Sequence, residues 1–392
     1  MIDETIKKEV LDLEPELIEL RRWFHIHPEL SWNEYNTRKK VEEKLDEAGI
    51  PYVEGAKTGV IGIIKGAKAD GRILGLRADM DALPVTELAD VEYKSVNDGV
   101  MHACGHDTHT AMLAMAGKIL AAHKDELKCE VRLIFQPAEE FIADSGAAHM
   151  KDEPLVKECD SIIGLHVFGA MDGGIIYIGD GAIMASADTF DIEIQGKGAH
   201  GASPHEGIDP IAAGVEFCNA VNRVLAREID TQKPAVISVT AFNSGTTSNV
   251  VPGTAHLMGT CRALDAGVRD SFEPTLNRIA KGVGEETNTT ITVDYHYGCP
   301  VTINFPKETE IARKAAYRTV GEDRVQVPPR SMGSEDFPKY TSPKAFAYLG
   351  VGVADKAKRF PQHNPYFVLD EQYLKDGVGF YVNCALCYSE EG

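Results

Sequence analysis

Met101-His102-Ala103-Cys104-Gly105-His106-Asp107-Thr108-His109-Thr110 is followed directly by an apolar run, Ala111 to Ala122, with the spacing of a helix. The stretch gathers one thiol, three imidazoles and one carboxylate at the predicted helix N-terminus. Such a cluster is a poor way to build an apolar core and a good way to hold a metal ion. The positive end of the helix dipole also favours a thiolate there. The stretch therefore predicts a metal site at the start of a helix.

Short apolar runs surround this helix and alternate with helical or loop segments. They are rich in residues that favour strands and cover 60–64, 73–76, 131–135 and 162–165. Because runs of this kind are buried on both faces, the alternation predicts an α/β fold with a mostly parallel sheet.

The pattern changes near residue 184, where the segment 189–194 alternates strictly between apolar and polar residues. A predicted helix, two strands, a second helix and a last strand follow in the order β-α-β-β-α-β, which is a ferredoxin-like unit. The α/β pattern returns at Cys299. We therefore predict a discontinuous larger domain, 1–183 and 299–392, and an inserted smaller domain, 184–298.

Polar side chains follow several of the predicted strands at their carboxyl ends, where α/β sheets collect functional residues. Asp79, Asp81, the pair Glu139-Glu140 and His166 all stand at such positions. Each alone would be read as a cap or a packed residue, but the repetition favours a common site. Adjacent side chains on extended backbone point in opposite directions. One glutamate is therefore expected to bind metal while the other acts as a general base.

Composition excludes several classes of protein. A net charge of −20 argues against nucleic acid or an anionic membrane as partner. No apolar run reaches the roughly 18 residues of a membrane helix, and the polar N-terminus lacks a signal-peptide pattern, so cytoplasmic residence is expected. The eight cysteines are then expected to be reduced thiols. Cys384 and Cys387 have redox or zinc spacing, but their apolar surroundings favour a packed helix face.

Further candidates lie in the second half of the chain. His200 stands in a glycine-rich loop whose spacing is not that of a phosphate-binding loop, so it is either a catalytic group or an ordinary loop residue. Asn249 and Arg262 are candidates for binding a substrate carboxylate, the arginine as a bidentate clamp. His363 is a plausible last metal ligand, supplied by the segment that returns to the larger domain.

The motifs resemble those of a family of metallo-amidohydrolases and peptidases that includes aminoacylases, hippurate hydrolases, indoleacetyl-amino-acid hydrolases and p-aminobenzoyl-glutamate hydrolases. The resemblance spans nearly the whole chain and rests on motifs that occur in the family's order. These are Arg21 to Ser31, Arg77 to Pro84, His102 to Asp107, Phe135 to Glu140, Gly164 to Val167, Gly198 to His205 and His363 to Pro365.

The resemblance implies a role for each candidate residue. Glu139 would be the general base, and Asp81 would orient a metal ligand without binding the metal itself. His200 would stabilise the oxyanion from the inserted smaller domain, which would act as a lid and is called the lid domain below. Asn249 and Arg262 would grip the substrate's α-carboxylate. Two divalent metal ions, zinc or manganese with nickel or cobalt as alternatives, would be held by five residues: Cys104, His106, Glu140, His166 and His363.

The resemblance also implies the reaction. We expect hydrolysis of N-acyl amino acids, in which a metal-bound hydroxide attacks the amide carbonyl. N-acetyl-diaminopimelate deacetylation and dipeptide hydrolysis are the alternatives within the same family. A metal-binding module without catalysis is disfavoured, because a pure binding site needs no base beside its ligands. The lid domain is expected to form a homodimer, as in related dimers where the partner subunit can supply the histidine.

Overall fold

The structure is a computed structural model that describes residues 2–391, with the side chains of residues 4–391. Its α-helices are α1 Ile2–Asp12, α2 Glu14–Ile26, α3 Tyr35–Glu47, α4 His106–Ala122, α5 Gly146–Met150, α6 Pro154–Lys157, α7 Pro210–Arg227, α8 Ala266–Asp270, α9 Phe272–Thr287, α10 Pro306–Val320 and α11 Leu374–Glu390.

The strands are β1 Tyr52–Gly55, β2 Gly59–Lys65, β3 Ile73–Asp79, β4 Glu130–Gln136, β5 Ser161–Asp172, β6 Ile176–Tyr177, β7 Gly181–Met184, β8 Ala187–Gln195, β9 Ala199–His200, β10 Ala235–Ser244, β11 Val250–Val251, β12 Thr254–Ala263, β13 Thr290–Cys299, β14 Thr302–Asn304, β15 Val325–Gln326 and β16 Lys344–Gly352.

The chain folds into two compact units. The larger comprises Met1–Gly181, Ile303–Pro329 and Asp336–Gly392; the smaller comprises Ala182–Thr302 and Arg330–Glu335. The short segment 330–335 was assigned to the larger domain in the sequence analysis. It lies with the smaller unit because the amide of Ser331 donates to the carbonyl of Ile183 at 3.0 Å and that of Ala185 to Gly333 at 3.0 Å. Local sequence patterns carry no sign of such a long-range pairing.

The larger unit contains an eight-stranded sheet in the order β1-β2-β4-β3-β5-β16-β6-β15. Its centre is parallel, because β3 pairs in parallel with β4 and β5, and β5 with β16. Every residue of β16 is buried, as is most of the helix α4. The predicted α/β fold with a mostly parallel sheet is confirmed, and the parallel centre brings the carboxyl ends of β3, β4 and β5 to one edge.

The smaller unit contains a four-stranded antiparallel sheet in the order β10-β12-β8-β13. The buried side chains of β8 alternate along the strand and pack with α7 and α9 in one apolar core. The observed order of helices and strands is the predicted β-α-β-β-α-β succession. The second of the two predicted helices is divided at Ser271 into α8 and α9.

Two further expectations concern membranes and cysteines. Among the residues that the structure describes, no helix is long and apolar enough to cross a membrane. Cys384 and Cys387 are buried in α11, and neither forms a disulfide with another described residue, which agrees with their interpretation as part of a packed helix face.

Candidate metal centre

Cys104, His106 and His166 converge at the edge where the parallel strands end. Cys104 precedes α4 and His166 lies in β5, and the sulfur of Cys104 is 3.4 Å from Nε2 of His166. Gly105 makes the approach possible, since its φ of +94° is left-handed and a Cβ there would lie 2.5 Å from the side chain of Val167. All three potential ligands are buried. The helix start therefore places thiol and imidazole side by side.

Both imidazoles are oriented by hydrogen bonds at Nδ1. His166 Nδ1 donates to the carbonyl oxygen of Val167 at 2.7 Å, and His106 Nδ1 donates to the carbonyl oxygen of Asp81 at 2.9 Å. Carbonyl oxygens can only accept, so the proton of each neutral ring lies on Nδ1. In its neutral form, each ring therefore presents an unprotonated Nε2, which is the form that binds metal.

Glu140 and His363 complete the cluster from two other segments. Oε1 of Glu140 lies 3.2 Å from Nε2 of His363 and 3.9 Å from Nε2 of His106. His363 has a left-handed φ of +66°, and its amide donates to the carbonyl of Ala103 at 2.8 Å. This bond joins the returning segment directly to the stretch that contains Cys104.

The donor set suits a transition metal. Among the described residues, Nε2 of His106 is buried without a hydrogen-bond partner, an unfavourable state that a bound cation would relieve. Oε1 of Glu140 is also buried without a hydrogen bond, although Nε2 of His363 lies 3.2 Å away. Overlapping triplets have their ligand atoms within 4.8 Å of one another. These triplets are Cys104–His106–His166, Cys104–Glu140–His363 and His106–Glu139–Glu140. Thiolate, imidazole and carboxylate are the ligands of zinc and its neighbours.

The electrostatics of the two buried imidazoles differ. Burial disfavours the charged form of His106, but the carboxylates of Asp79 and Asp81 outweigh it and raise the pKa of His106 to about 10. Burial, together with the neighbouring His109, holds the pKa of His166 well below its ordinary value. A metal would have to displace the proton of His106, so binding is expected to release protons.

Asp79, His106 and His109 also lie close enough to form a triplet, but their hydrogen bonds argue against this ligand set. His109 Nδ1 is 2.5 Å from Oδ1 of Asp79, and its Nε2 accepts the amide hydrogen of Val167 at 2.8 Å. Both ring nitrogens are thus engaged. Arg77 donates to Oδ2 of Asp79 at 2.7 Å, so both oxygens of this carboxylate already have hydrogen-bond donors.

Glu139 and Glu140 do not point in opposite directions as the sequence analysis expected. Oε2 of Glu139 and Oε1 of Glu140 each lie 3.9 Å from Nε2 of His106. The expectation assumed extended backbone, whereas Ala138 has a left-handed φ of +50° and a bend follows it. The amide of Asp336 donates to Oε1 of Glu139 at 3.3 Å, which turns its other oxygen toward the cluster.

Asp81 links three parts of the centre through one carboxylate. Its Oδ1 accepts from the amide of Glu139 at 3.1 Å and lies 3.2 Å from Nδ1 of His106. Its Oδ2 accepts from the amide of Glu140 at 3.0 Å and from the hydroxyl of Ser31 at 2.6 Å. These contacts fit the orienting role expected of Asp81. Ser31 was not singled out in the sequence, although it ends a motif that carries the family resemblance.

A second buried network, centred on Asp107 and His25, is one that the sequence analysis did not identify. Oδ2 of Asp107 is 2.8 Å from Nε of Arg21 and 2.8 Å from Nδ1 of His25, and Nε2 of His25 is 3.1 Å from Oε1 of Glu87. The network ties α2 to the residue that follows His106. Arg21, His25 and Asp107 all lie within the motifs that carry the family resemblance. Charged residues next to apolar ones in these motifs are the sequence feature that could have identified the network.

In the smaller unit, His200 and Asn249 are neighbours. His200 lies in β9 opposite Val250 of β11, and the amide of Gly201 donates to the carbonyl of Asn249 at 2.8 Å. Both side chains are exposed. Nδ1 of His200 is 3.1 Å from the amide of Ala202. Because an amide can only donate, Nδ1 accepts, and Nε2 of the neutral ring is left as an exposed donor.

Arg262 does not lie near His200 and Asn249. It lies near the C-terminal end of β12. His200 and Asn249 lie at the pair of short strands β9 and β11, beyond the N-terminal end of β12 at Thr254, where the amide of Gly196 donates to the carbonyl of Gly253. From Thr254 to Arg262 the strand spans roughly 26 Å at about 3.3 Å per residue. Within one chain, Asn249 and Arg262 therefore lie too far apart to bind one small carboxylate together.

Comparisons with known proteins agree on one family. The model of "Peptidase family M20/M25/M40" matches residues 75–386. "Thermostable carboxypeptidase 2" of Saccharolobus solfataricus is 39% identical, covering 99% of each chain. "Hippurate hydrolase" of Campylobacter jejuni is 36% identical, covering 97% of this chain and 98% of the relative. The solved YXEP protein of Bacillus subtilis, described as a dinuclear metal binding peptidase, has a TM-score of 0.84 at 32% identity, covering 97% and 99%.

Proposed function

The chain belongs to peptidase family M20/M25/M40, and from this premise we propose that it hydrolyses the amide bond of N-acyl amino acids with the help of bound metal. The two relatives above favour this class. Hippurate is an N-acylated amino acid, and a carboxypeptidase releases a C-terminal amino acid whose nitrogen carries a peptidyl group. Both substrates present an acylated nitrogen next to a free α-carboxylate.

The observation that carries the proposal is the position of Glu139. Its carboxylate is buried beside the ligand cluster, with Oε1 held by the amide of Asp336 and Oε2 3.9 Å from Nε2 of His106. This position supports the proposal that Glu139 takes a proton from an attacking water and returns it to the nitrogen of the leaving amino acid. A site that only stores metal has no use for such a group.

The metal would be held by Cys104, His106, Glu140, His166 and His363. Divalent ions bound there would polarise the amide carbonyl and lower the pKa of a water molecule. Two overlapping triplets that share Cys104, and the dinuclear metal binding described for the YXEP protein, support two ions per chain. We propose zinc or manganese, with nickel or cobalt as alternatives, because the thiolate and imidazole donors suit all of them.

We propose His200 as the donor to the developing oxyanion and Asn249 and Arg262 as the residues that bind the substrate carboxylate. The exposed Nε2–H of His200 has the required donor character. Since Asn249 lies beyond one end of β12 and Arg262 lies near the other end, we propose that a homodimer supplies them from different chains. The smaller unit offers a surface for it: β10 is an edge strand, and Phe242 on it is exposed together with Ile211 and Val215 of α7.

The test is a hydrolysis screen of the purified protein loaded separately with zinc, manganese, nickel or cobalt. The panel contains N-acetyl, N-benzoyl and N-indoleacetyl amino acids, N-acetyl-diaminopimelate, dipeptides and longer peptides. Each active substrate is paired with its α-carboxamide as a matched control, because that change removes only the charge that Asn249 and Arg262 are proposed to bind.

We expect turnover of at least one N-acyl amino acid and a marked rise in KM for its carboxamide. Hydrolysis confined to peptides would replace this proposal with a carboxypeptidase or dipeptidase, an alternative that the carboxypeptidase relative favours. Hydrolysis of N-acetyl-diaminopimelate alone would favour the biosynthetic deacetylase. No hydrolysis of any panel member with any of the four metals would refute the proposal.

A further inference from the structure

Three consecutive backbone amides in the loop that follows β4, those of residues 138–140, donate to buried carboxylates. The amide of Ala138 donates to Oε1 of Glu34 at 2.8 Å. The amides of Glu139 and Glu140 donate to the two oxygens of Asp81 at 3.1 and 3.0 Å. Asp81 was expected to orient a ligand, but no role was assigned to Glu34. The side chain of Glu34 is completely buried, so its carboxyl group has been taken out of water to make this contact.

Ala138 needs such a partner because its backbone is left-handed, with φ at +50°. Residues with a Cβ disfavour this region, and the turn here is fixed from both sides of the residue. Its amide donates to Glu34, and its carbonyl accepts from the amide of Gly146 at 2.9 Å. The turn at Ala138 sets the direction in which the next two residues, Glu139 and Glu140, leave the strand β4.

Glu34 is itself fixed at the other oxygen. The hydroxyl of Thr58, which is also completely buried, lies 2.7 Å from Oε2 of Glu34. Thr58 immediately precedes β2, so Glu34 spans between this strand and the loop after β4. The two contacts require a side chain with two polar atoms at a fixed distance from the backbone of residue 34.

We propose that Glu34 is a positioning residue, which acts through the amide of Ala138 to hold the left-handed turn that aims Glu139 and Glu140 at the metal centre. The inference rests on the proposed function, in which Glu139 is the base and Glu140 a ligand. Among the described residues, the carboxyl group of Glu34 hydrogen-bonds to Thr58 and to the amide of Ala138 and to none of the five proposed ligands, so Glu34 acts on the reaction through the backbone.

This role depends on the length of the side chain rather than on its charge. Burial, and next to it the negative charge of Asp81, raise the pKa of Glu34 to about 7, so an uncharged group is accommodated at this position. A glutamine can accept from the amide of Ala138 with its oxygen and donate to the hydroxyl of Thr58 with its nitrogen. An aspartate keeps the charge but is one methylene too short to reach both partners.

The experiment compares Glu34→Gln with Glu34→Asp, two conservative variants that preserve a polar group at the buried site. For each, kcat and KM are measured on the best substrate of the screen, together with metal content and thermal unfolding. We expect Glu34→Gln to retain most of the wild-type kcat. Glu34→Asp is expected to lose about 100-fold in kcat, with little change in KM, because a displacement of about 1 Å at a reacting group costs this much.

A spectroscopic measurement separates positioning from general loss of structure. The visible absorption of the cobalt-loaded protein reports the ligand geometry around the metal. We expect the spectrum of Glu34→Gln to match that of the wild type and the spectrum of Glu34→Asp to be shifted. Glu153→Asp is the matched control: its carboxylate accepts from the amide of Ala56 at 2.8 Å, a similar anchor, and this variant should alter stability alone.

The opposite order of the two variants, with Glu34→Asp active and Glu34→Gln inactive, would overturn the proposal, since charge and not reach would then matter. Equal kcat and an unchanged cobalt spectrum in both variants would overturn it as well. Failure of the proposed function is distinguishable, because Glu139→Gln would then retain activity in the same assay. In that case the cobalt spectra would still show whether Glu34 holds the loop.

Discussion

Replacing Asp81 by asparagine changes one oxygen of the most connected carboxylate in the centre into an amide nitrogen. The least disruptive arrangement places the nitrogen at the Oδ2 position, where the hydroxyl of Ser31 can reverse and accept. The amide of Glu140, which donates to Oδ2 at 3.0 Å, would then face another donor. The opposite arrangement removes the acceptor of the Glu139 amide. In both cases one glutamate loses its backbone anchor.

The expected magnitude follows from that single lost contact. A hydrogen bond to a charged group contributes about 1.5–3 kcal/mol, which corresponds to about 10- to 150-fold in an equilibrium or rate constant. The same range, about 10- to 100-fold, is typical when a residue behind a metal ligand is replaced. Asp81→Asn is therefore expected to weaken metal binding and lower kcat/KM by one to two orders of magnitude.

The assay is a titration of the metal-free protein with zinc in a competing chelator, followed by steady-state kinetics at saturating metal. Ser31→Ala is the matched control, because it removes one partner of Asp81 and leaves the Glu139 and Glu140 amides bonded. We expect its metal affinity to stay close to that of the wild type. Wild-type affinity and turnover in Asp81→Asn would refute the reasoning about this carboxylate.

Two further predictions concern stability. Arg77 donates to Asp79 and Asp336 within the core, so Arg77→Met should cost about 3–5 kcal/mol of unfolding free energy because both carboxylates lose a buried partner. The control is Arg313→Met, whose partners Asp180 and Glu310 are about half exposed; it should cost no more than about 1 kcal/mol. Equal losses of the two variants in denaturant unfolding would contradict this. Burial lowers the pKa of Lys344 to about 8, so stability should rise with pH between about 8 and 10.5, because the unfolded chain holds the proton longer. Lys344→Met should abolish that rise and increase Tm at pH 7; a lower Tm would show that the ammonium group is stabilising.

The fold could be predicted largely because its signals are local. Apolar runs of strand length, the helical run after Thr110 and the alternation over 189–194 each follow from short-range periodicity. The break at Ser271 and the pairing of residues 330–335 with the smaller unit do not. They depend on contacts between distant segments, which local patterning does not encode.

In the candidate site, too, some residues could be predicted from the local sequence and others could not. Strand-end placement could point to Asp79, Asp81, Glu139 and His166 as members of one centre, while the assignment of five ligands rested on resemblance. The relation between Glu139 and Glu140 was misjudged because the left-handed turn at Ala138 is invisible in the sequence. Glu34 was overlooked for a related reason: a glutamate before a helix reads as an exposed residue until the structure shows it buried.

The most direct test of the account measures kcat and metal content in the same preparations of wild type and Glu139→Gln. The account predicts that Glu139→Gln keeps its full metal content, because the five proposed ligands are untouched. Its kcat should fall by about 10²–10⁴-fold, the contribution of a general acid–base group. Wild-type turnover by a fully metal-loaded Glu139→Gln would contradict the central claim, because proton transfer would then not depend on Glu139.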